Sequence, residues 1–319
     1  MLATLLSAAL AGIDGRIVRV EVDVSPGLPS FTVVGLPDAS VRESRDRVRT
    51  AIRNSDFEFP WQHITINLAP PDVRKEGAAY DLPIALGILA ATGALPSRDY
   101  TDIVIVGALS LDGAVRATGG VLPVAMAAAR AGIGAALVPA ANAAEAAVVA
   151  GLNVWPAESL DEAAAALGDR SDARRYRGRT EVAGAPDDGP WGDFADIRGQ
   201  LMARRALEVA AAGGHHVLLT GPPGSGKTMM ARSLAGILPP LSAAEALEVT
   251  SIHSVAGLLP GGAGLIRARP FRAPHHTISD VALVGGGAHP RPGELSLAHT
   301  GVLFLDEMPE FERRALEVL

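Results

Sequence analysis

Residues 216–228 read His216-Val217-Leu218-Leu219-Thr220-Gly221-Pro222-Pro223-Gly224-Ser225-Gly226-Lys227-Thr228, and a run with helical character, 229–238, begins at once. The first five residues form a compact apolar run of strand length. The next eight fit G-x-x-x-x-G-K-[ST] position by position. Glycines let backbone N–H groups close around phosphate oxygens without a Cβ clash, and the helix N-terminus adds positive partial charge. In that arrangement Lys227 is expected to reach the outer phosphates, and the Thr228 hydroxyl to ligate magnesium. The expected binding set is Gly221, Pro222, Pro223, Gly224, Ser225, Gly226, Lys227 and Thr228, with ATP and Mg²⁺ as ligands. A plain Gly-rich turn is the competing reading. The strand before and the helix after argue against it, as does the placement here of one of only two lysines among 28 basic residues.

Seventy-eight residues after Thr228, the stretch Gly301-Val302-Leu303-Phe304-Leu305-Asp306-Glu307 follows. Its four consecutive apolar residues fit a parallel strand buried on both faces. Asp306 at the strand's end is expected to hold Mg²⁺, directly or through water. Glu307 is expected to orient and deprotonate an attacking water, which makes it the candidate catalytic residue. An apolar strand that ends in a solvated acid pair is common in α/β proteins. The phosphate loop upstream gives this pair its chemical reading.

The surrounding composition sets limits. The chain has 319 residues, 48% hydrophobic, 4% aromatic and 20% charged, which is room for about two domains and excludes a disordered chain. It has no cysteine, so disulfide frameworks, thiol catalysis and zinc–thiolate sites are excluded. The net charge of -7 gives no global basic footprint for nucleic acid. No apolar run approaches the ~20 residues of a membrane span. The apolar first residues, 1–13, lack a basic start and run straight into an alternating strand at 16–24, so they read as fold rather than as a leader. A soluble, cytoplasmic protein is expected.

Residues 168–192 carry five basic and five acidic side chains, with Gly and Pro scattered through them and almost no large apolar residue, a linker composition. The expected division is 1–167, linker 168–192, and 193–319. In the first part, strands are expected at 16–24, 30–34 and 63–68, and a helix capped by Asp38 or Ser40 running to about Arg53. A buried helix follows at 80–92, and a hairpin at 103–116 turns on Asp112-Gly113. Helices at 123–130, 141–150 and 159–167 alternate with strands at 135–138 and 153–155, an α/β pattern.

Other clusters carry less. His275 and His276 are adjacent, so a strand or helix cannot turn both toward one metal, and no third ligand stands at metal spacing. Gly285-Gly286-Gly287 lacks the following Lys-Ser/Thr of a phosphate cradle. Arg42, Arg45, Arg49 and Arg53 fall on one stripe at ~100° per residue, beside the apolar Val41/Val48/Ile52 face. That stripe is either a DNA contact or an ordinary solvated face, since Glu43 and Asp46 are interspersed. Arg267, Arg269, Arg272 and Arg291 gather between the two nucleotide motifs and are further candidate DNA contacts.

Two longer stretches make a resemblance specific. The segment 270–277 (Pro-Phe-Arg-Ala-Pro-His-His-Thr), the triple glycine 285–287, and 290–299 leading into 301–307 resemble the magnesium-chelatase branch of AAA+ ATPases. Gly35-Leu36-Pro37-Asp38, the run 41–48, and Asn67-Leu68-Ala69-Pro70 narrow the resemblance to the YifB/ComM family. It implies a P-loop AAA+ parallel-sheet domain preceded by an S5-like, Lon-protease-like α/β domain. It also implies a homo-hexameric ATP-hydrolysing motor, with ComM-type members acting on DNA as branch-migration helicases. Lys75-Glu76-Gly77-Ala78-Ala79 resembles the Lon nucleophile loop with Ala79 where serine would stand, and 119–124 resembles the segment of the Lon lysine but holds no lysine. Without nucleophile or amine base, peptide hydrolysis by that dyad has no chemistry. The sensor residue, arginine finger and helical lid of AAA+ motors would lie beyond Leu319, so the chain reads as incomplete at that end. Two other readings remain open: a motor subunit of a metal chelatase, which the Lon-like first domain argues against, and a nucleotide-switched module that binds a protein partner.

Overall fold

The computed structural model describes residues 1–169, 175–178, 193–260, 262–287 and 290–319. Most of the expected linker, 168–192, lies outside the described residues. The chain divides into two compact units: 1–180 with 254–264, and 181–253 with 265–319. Among the described residues, no helix is long and apolar enough to cross a membrane. The protein is mixed α/β, with a mostly parallel central sheet in the first unit.

That sheet is built from β1 (Leu2–Ala11), β2 (Asp14–Ser25), β3 (Ser30–Val34), β4 (His63–Ala69), β5 (Tyr100–Ile105), β8 (Ala135–Pro139) and β9 (Asn153–Ala157), in the order β3-β4-β2-β1-β5-β8-β9. The β1–β2 and β2–β4 pairs are antiparallel and the other four are parallel. The apolar opening of the chain is therefore an inner strand, with β2 on one side and β5 on the other.

Helices cover both faces. On one lie α1 (Ala39–Asn54), α2 (Asp81–Ala91) and α5 (Leu160–Gly168), packed through Val48, Ile52, Leu86 and Leu160 against Leu5, Val20 and Ile66. On the other, α3 (Val121–Arg130) packs Val124 and Ala128 against Leu6, Val104 and Ala136. Every residue of α2 is buried, as an unbroken apolar helix inside a three-layer packing must be. Of the two expected caps for α1, Asp38 is used: its Oδ1 accepts the Val41 N–H at 2.8 Å.

Two expectations shorten. The strand expected from 103 stops after Ile105, because Gly107 turns its backbone to α2: it donates to Ala79 O and accepts from Leu82 N, both at 3.0 Å. A small hairpin, β6 (Ala108–Leu109) with β7 (Val115–Arg116), then carries the Asp112-Gly113 turn. The helix expected over 141–150 is only α4 (Ala143–Ala146). Val148 and Val149 fall back to bonds three residues long, and Gly151 turns the chain at a φ of 80°.

The second unit contains α6 (Leu201–Gly213), α7 (Lys227–Ile237), β10 (Phe271–Arg272), α9 (Asp280–Val284), a hairpin of β11 (Gly285–Gly286) and β12 (Arg291–Pro292), α10 (Glu294–Leu297), β13 (Val302–Leu303) and α11 (Arg313–Glu317). Helix α8 (Ala243–Val255) begins in this unit. Here the sequence misleads twice. Residues 216–220 form no strand, and Leu218 is 72% exposed. The run 301–305 is a strand only over Val302–Leu303, and its residues are half-buried. A strand buried on both faces needs hydrogen-bonded neighbours. Among the described residues β10 and β13 pair only with each other, and nothing pairs with 216–220.

Candidate nucleotide-binding site

The phosphate-loop sequence forms the loop its glycines allow. Gly224 and Gly226 sit at φ of 76° and 85°, the left-handed region, and α7 begins directly at Lys227. Nothing stands within 4 Å of where a Gly224 Cβ would be, so the backbone is open to a ligand there. The first-turn N–H groups of α7 have no acceptor within the helix, which makes its N-terminus an anion site in waiting.

Lys227 curls back over the loop, where its Nζ donates to Gly221 O at 2.9 Å and Pro222 O at 3.0 Å. Both acceptors are neutral carbonyls, so the ammonium charge is uncompensated by any carboxylate contact. Next to it, Thr228 Oγ1 donates to Asp306 Oδ2 at 3.0 Å. Asp306 Oδ1 accepts the Glu307 N–H at 3.1 Å. Glu307 itself takes a left-handed backbone, φ 54°, which turns the chain sharply after the second motif. A cleft of about 1620 Å³ holds Lys227, Thr228, Asp306 and Glu307 together.

These residues fit a polyphosphate and its divalent cation. The Ser225 Oγ is buried in the loop without a hydrogen-bond partner, an orphan that a phosphate oxygen would satisfy. The donor set is one ammonium plus helix N-terminal N–H groups, and the acceptor set is one hydroxyl and one carboxylate already in contact. Hard oxygen ligands of this kind suit magnesium.

His276, weighed in the sequence only as a metal ligand, stands beside Glu307. Its Nδ1 lies 3.7 Å from Glu307 Oε2, its ring packs at a tilt of 34° against His275 with centroids 4.1 Å apart, and Phe311 meets it edge-on. His275 is in turn fixed by Thr277, whose Oγ1 lies 2.9 Å from Nδ1. The signal lay in the parallel pairing of β10 and β13. Residues that follow two parallel neighbours emerge at the same end of the sheet, so the histidines after β10 meet the acids after β13.

Of the four candidate arginines between the motifs, two are paired within the unit. Arg272 makes a two-pronged pair with Glu294, at 2.5 and 2.7 Å. Arg269 is 13% exposed and binds Glu245 and the carbonyls of Pro239, Pro240 and Thr300. Both are consumed in holding the unit together, because buried guanidinium groups must be paired. Arg267 and Arg291 are exposed. On α1 the stripe is real: Arg42, Arg45 and Arg53 are exposed, with Arg49 partly so. Arg42 is partly spent on the Pro37 carbonyl.

Comparison with known proteins gives the family. The family model described as magnesium chelatase, subunit ChlI, matches residues 193–319, and a second model, subunit ChlI of Mg-chelatase, matches 20–142. YifB of Escherichia coli is 46% identical over 98% of this chain and 60% of its own length. Competence protein ComM of Haemophilus influenzae is 42% identical over the whole chain and 62% of its own length. The chain belongs to the YifB/ComM family of magnesium-chelatase-like proteins. It spans about three fifths of the length of these relatives. A more distant likeness, 32% identity over 47% of this chain, links the family member to a Lon protease of Chloroflexus aurantiacus.

Proposed function

We propose that this YifB/ComM-family protein binds ATP with Mg²⁺ in its second unit and, at the full length of its relatives, hydrolyses the nucleotide as an AAA+ motor. The supporting observation is the Thr228–Asp306 contact, which unites the two motifs at one point in one cleft. Bound magnesium would bridge phosphate oxygens and neutralise charge as it develops. Lys227 would exchange its two carbonyl partners for phosphate oxygens. Thr228 and Asp306, already adjacent, would supply the metal's protein ligands. Glu307 would take the proton of the attacking water, with the His276 ring 3.7 Å from its carboxylate.

In this reading residues 1–167 form a Lon-like, S5-like domain without peptidase chemistry, and 193–319 form the AAA+ core. The likeness to a Lon protease supports the first assignment. Ala79 offers no nucleophile, and the segment 119–124 holds no lysine. The working form is a homo-hexamer in the cytoplasm, and DNA is the substrate, as the resemblance to ComM-type members implies. The family models favour a second reading, a chelatase motor subunit that acts on a metal–porphyrin system. ATPase assays on the full-length protein with single-stranded or branched DNA, and with porphyrin, separate the two. DNA-stimulated turnover supports the motor on DNA, porphyrin-dependent turnover the chelatase, and response to neither would leave a nucleotide-switched binding module.

A further inference from the structure

In the first unit, Trp61 stands 60% exposed in the turn just before β4. The guanidinium of Arg49 lies over its ring, 4.4 Å from the centroid, and the buried Phe59 meets it edge-on. The indole is thus held in place from two directions, with most of its surface left in water.

Arg45 and Arg53 flank Arg49 on the same side of α1, one turn before and one turn after. Arg53 has no ion-pair partner among the described residues, and Arg45 reaches only Asp46, at 4.0 Å. Arg47 lies on another side of the helix and is committed to Asp81. Glu43 turns toward Arg47, off the stripe. Residues 39–54 carry five arginines and two acids, whereas the rest of 1–167 carries seven basic and sixteen acidic residues. Positive charge is therefore concentrated on one helix of an acidic domain, beside its exposed tryptophan.

We propose that Arg45, Arg49, Arg53 and Trp61 form a docking surface for single-stranded nucleic acid. The arginines take successive phosphates, and an unpaired base stacks on the indole, which Arg49 backs. An acidic polypeptide would use the arginines but leaves the tryptophan without a role. Duplex DNA presents no free base face to stack. A line of cations beside a fixed aromatic plate is the chemistry that binds single strands without reading their sequence. This assignment rests on the proposal that DNA is the substrate and says which surface first holds it.

The test is anisotropy of fluorescently labelled oligo(dT) titrated with the full chain across a salt series, with nucleotide binding measured in parallel. Trp61→Ala is expected to weaken oligo(dT) binding about tenfold or more, and Trp61→Phe to restore most of it. The triple variant Arg45→Gln, Arg49→Gln, Arg53→Gln is expected to lower the slope of log affinity against log salt by about 2, the release from three phosphates of a single strand. Unchanged thermal melts show that the variants fold, as expected for side chains at the surface of α1 and the turn before β4. Oligo(dT) binding that ignores both variants would overturn this surface while leaving DNA as the substrate. No oligo(dT) binding by the parent chain would overturn this surface, and no binding of labelled branched DNA either would overturn DNA as the substrate, with the nucleotide titration showing that the protein is intact. Polyglutamate binding with the same sensitivity to Trp61 and the arginines would replace nucleic acid with an acidic polypeptide.

Discussion

The hydroxyl of Thr228 and the carboxylate of Asp306 are hydrogen-bonded at 3.0 Å across 78 residues of chain. Thr228 stands in the first turn of α7 and Asp306 follows the run that contains β13, and in the proposed site their two oxygens would hold the magnesium ion. Thr228→Ala and Asp306→Asn should each weaken nucleotide binding in the presence of magnesium, with little change when magnesium is chelated. Titrations of a fluorescent ATP analogue with and without EDTA check this. Equal loss under both conditions would mean that these residues hold the loop rather than the metal.

Glu307 should separate binding from turnover. In the full-length protein, Glu307→Gln keeps size and hydrogen bonding but removes the base. Nucleotide should bind at least as tightly as in the parent, while hydrolysis falls by roughly 10²–10⁴-fold. Phosphate-release kinetics measure it, and an undiminished rate would move water activation to another residue.

The candidate nucleotide site was legible in sequence as a motif because its signal is local: eight consecutive residues dictate the loop, and Asp306-Glu307 sit side by side. Elements fixed by local rules were equally plain, such as the Asp38 cap and the wholly apolar α2. Elements that depend on distant partners were not. Residues 216–220 have the composition of a strand but no neighbour to pair with. Arg269 and Arg272 looked free in sequence and are consumed by Glu245 and Glu294, on segments far along the chain. The placement of His276 beside Glu307, and of Arg49 over Trp61, needed the strand pairing and the turn into β4.

Asp81 is fully buried, and its charge is met by Arg47 through two bonds, 2.7 and 3.0 Å. The Asp81 hydrogen bond holds the guanidinium above its usual pKa, as expected for a pair stabilised in its charged form. Arg47→Ala strands a carboxylate in the core and should cost about 3–5 kcal/mol in denaturant unfolding. Arg47→Met combined with Asp81→Leu should recover most of that loss. If the double variant is no more stable than the single, the damage lies in lost packing instead.

His253 provides the acid-side signature of the second unit. Burial pulls its pKa below the ordinary imidazole range, against the hydrogen bond that its Nε2 donates to Leu297 O at 3.2 Å. The unfolded chain therefore takes up the proton first as pH falls, and the folded form loses stability until pH passes below the depressed pKa. The contribution is intact above about pH 6.5. Thermal melts from pH 7.5 to 5 should show a steeper decline for the parent than for His253→Gln, whose amide donates without titrating. Parallel slopes would show that this imidazole does not distinguish the folded from the unfolded state.

Lys227 bears the central claim. Its ammonium rests on two neutral carbonyls and is the loop's one mobile cation, so polyphosphate affinity must pass through it. The deciding measurement is a calorimetric titration of ATP·Mg²⁺ into the parent chain and into Lys227→Ala, with folding of both confirmed by circular dichroism. Saturable one-to-one binding by the parent, abolished or greatly weakened in the variant, is the predicted result. Equal affinity in the two proteins would contradict the assignment of this loop as the nucleotide site.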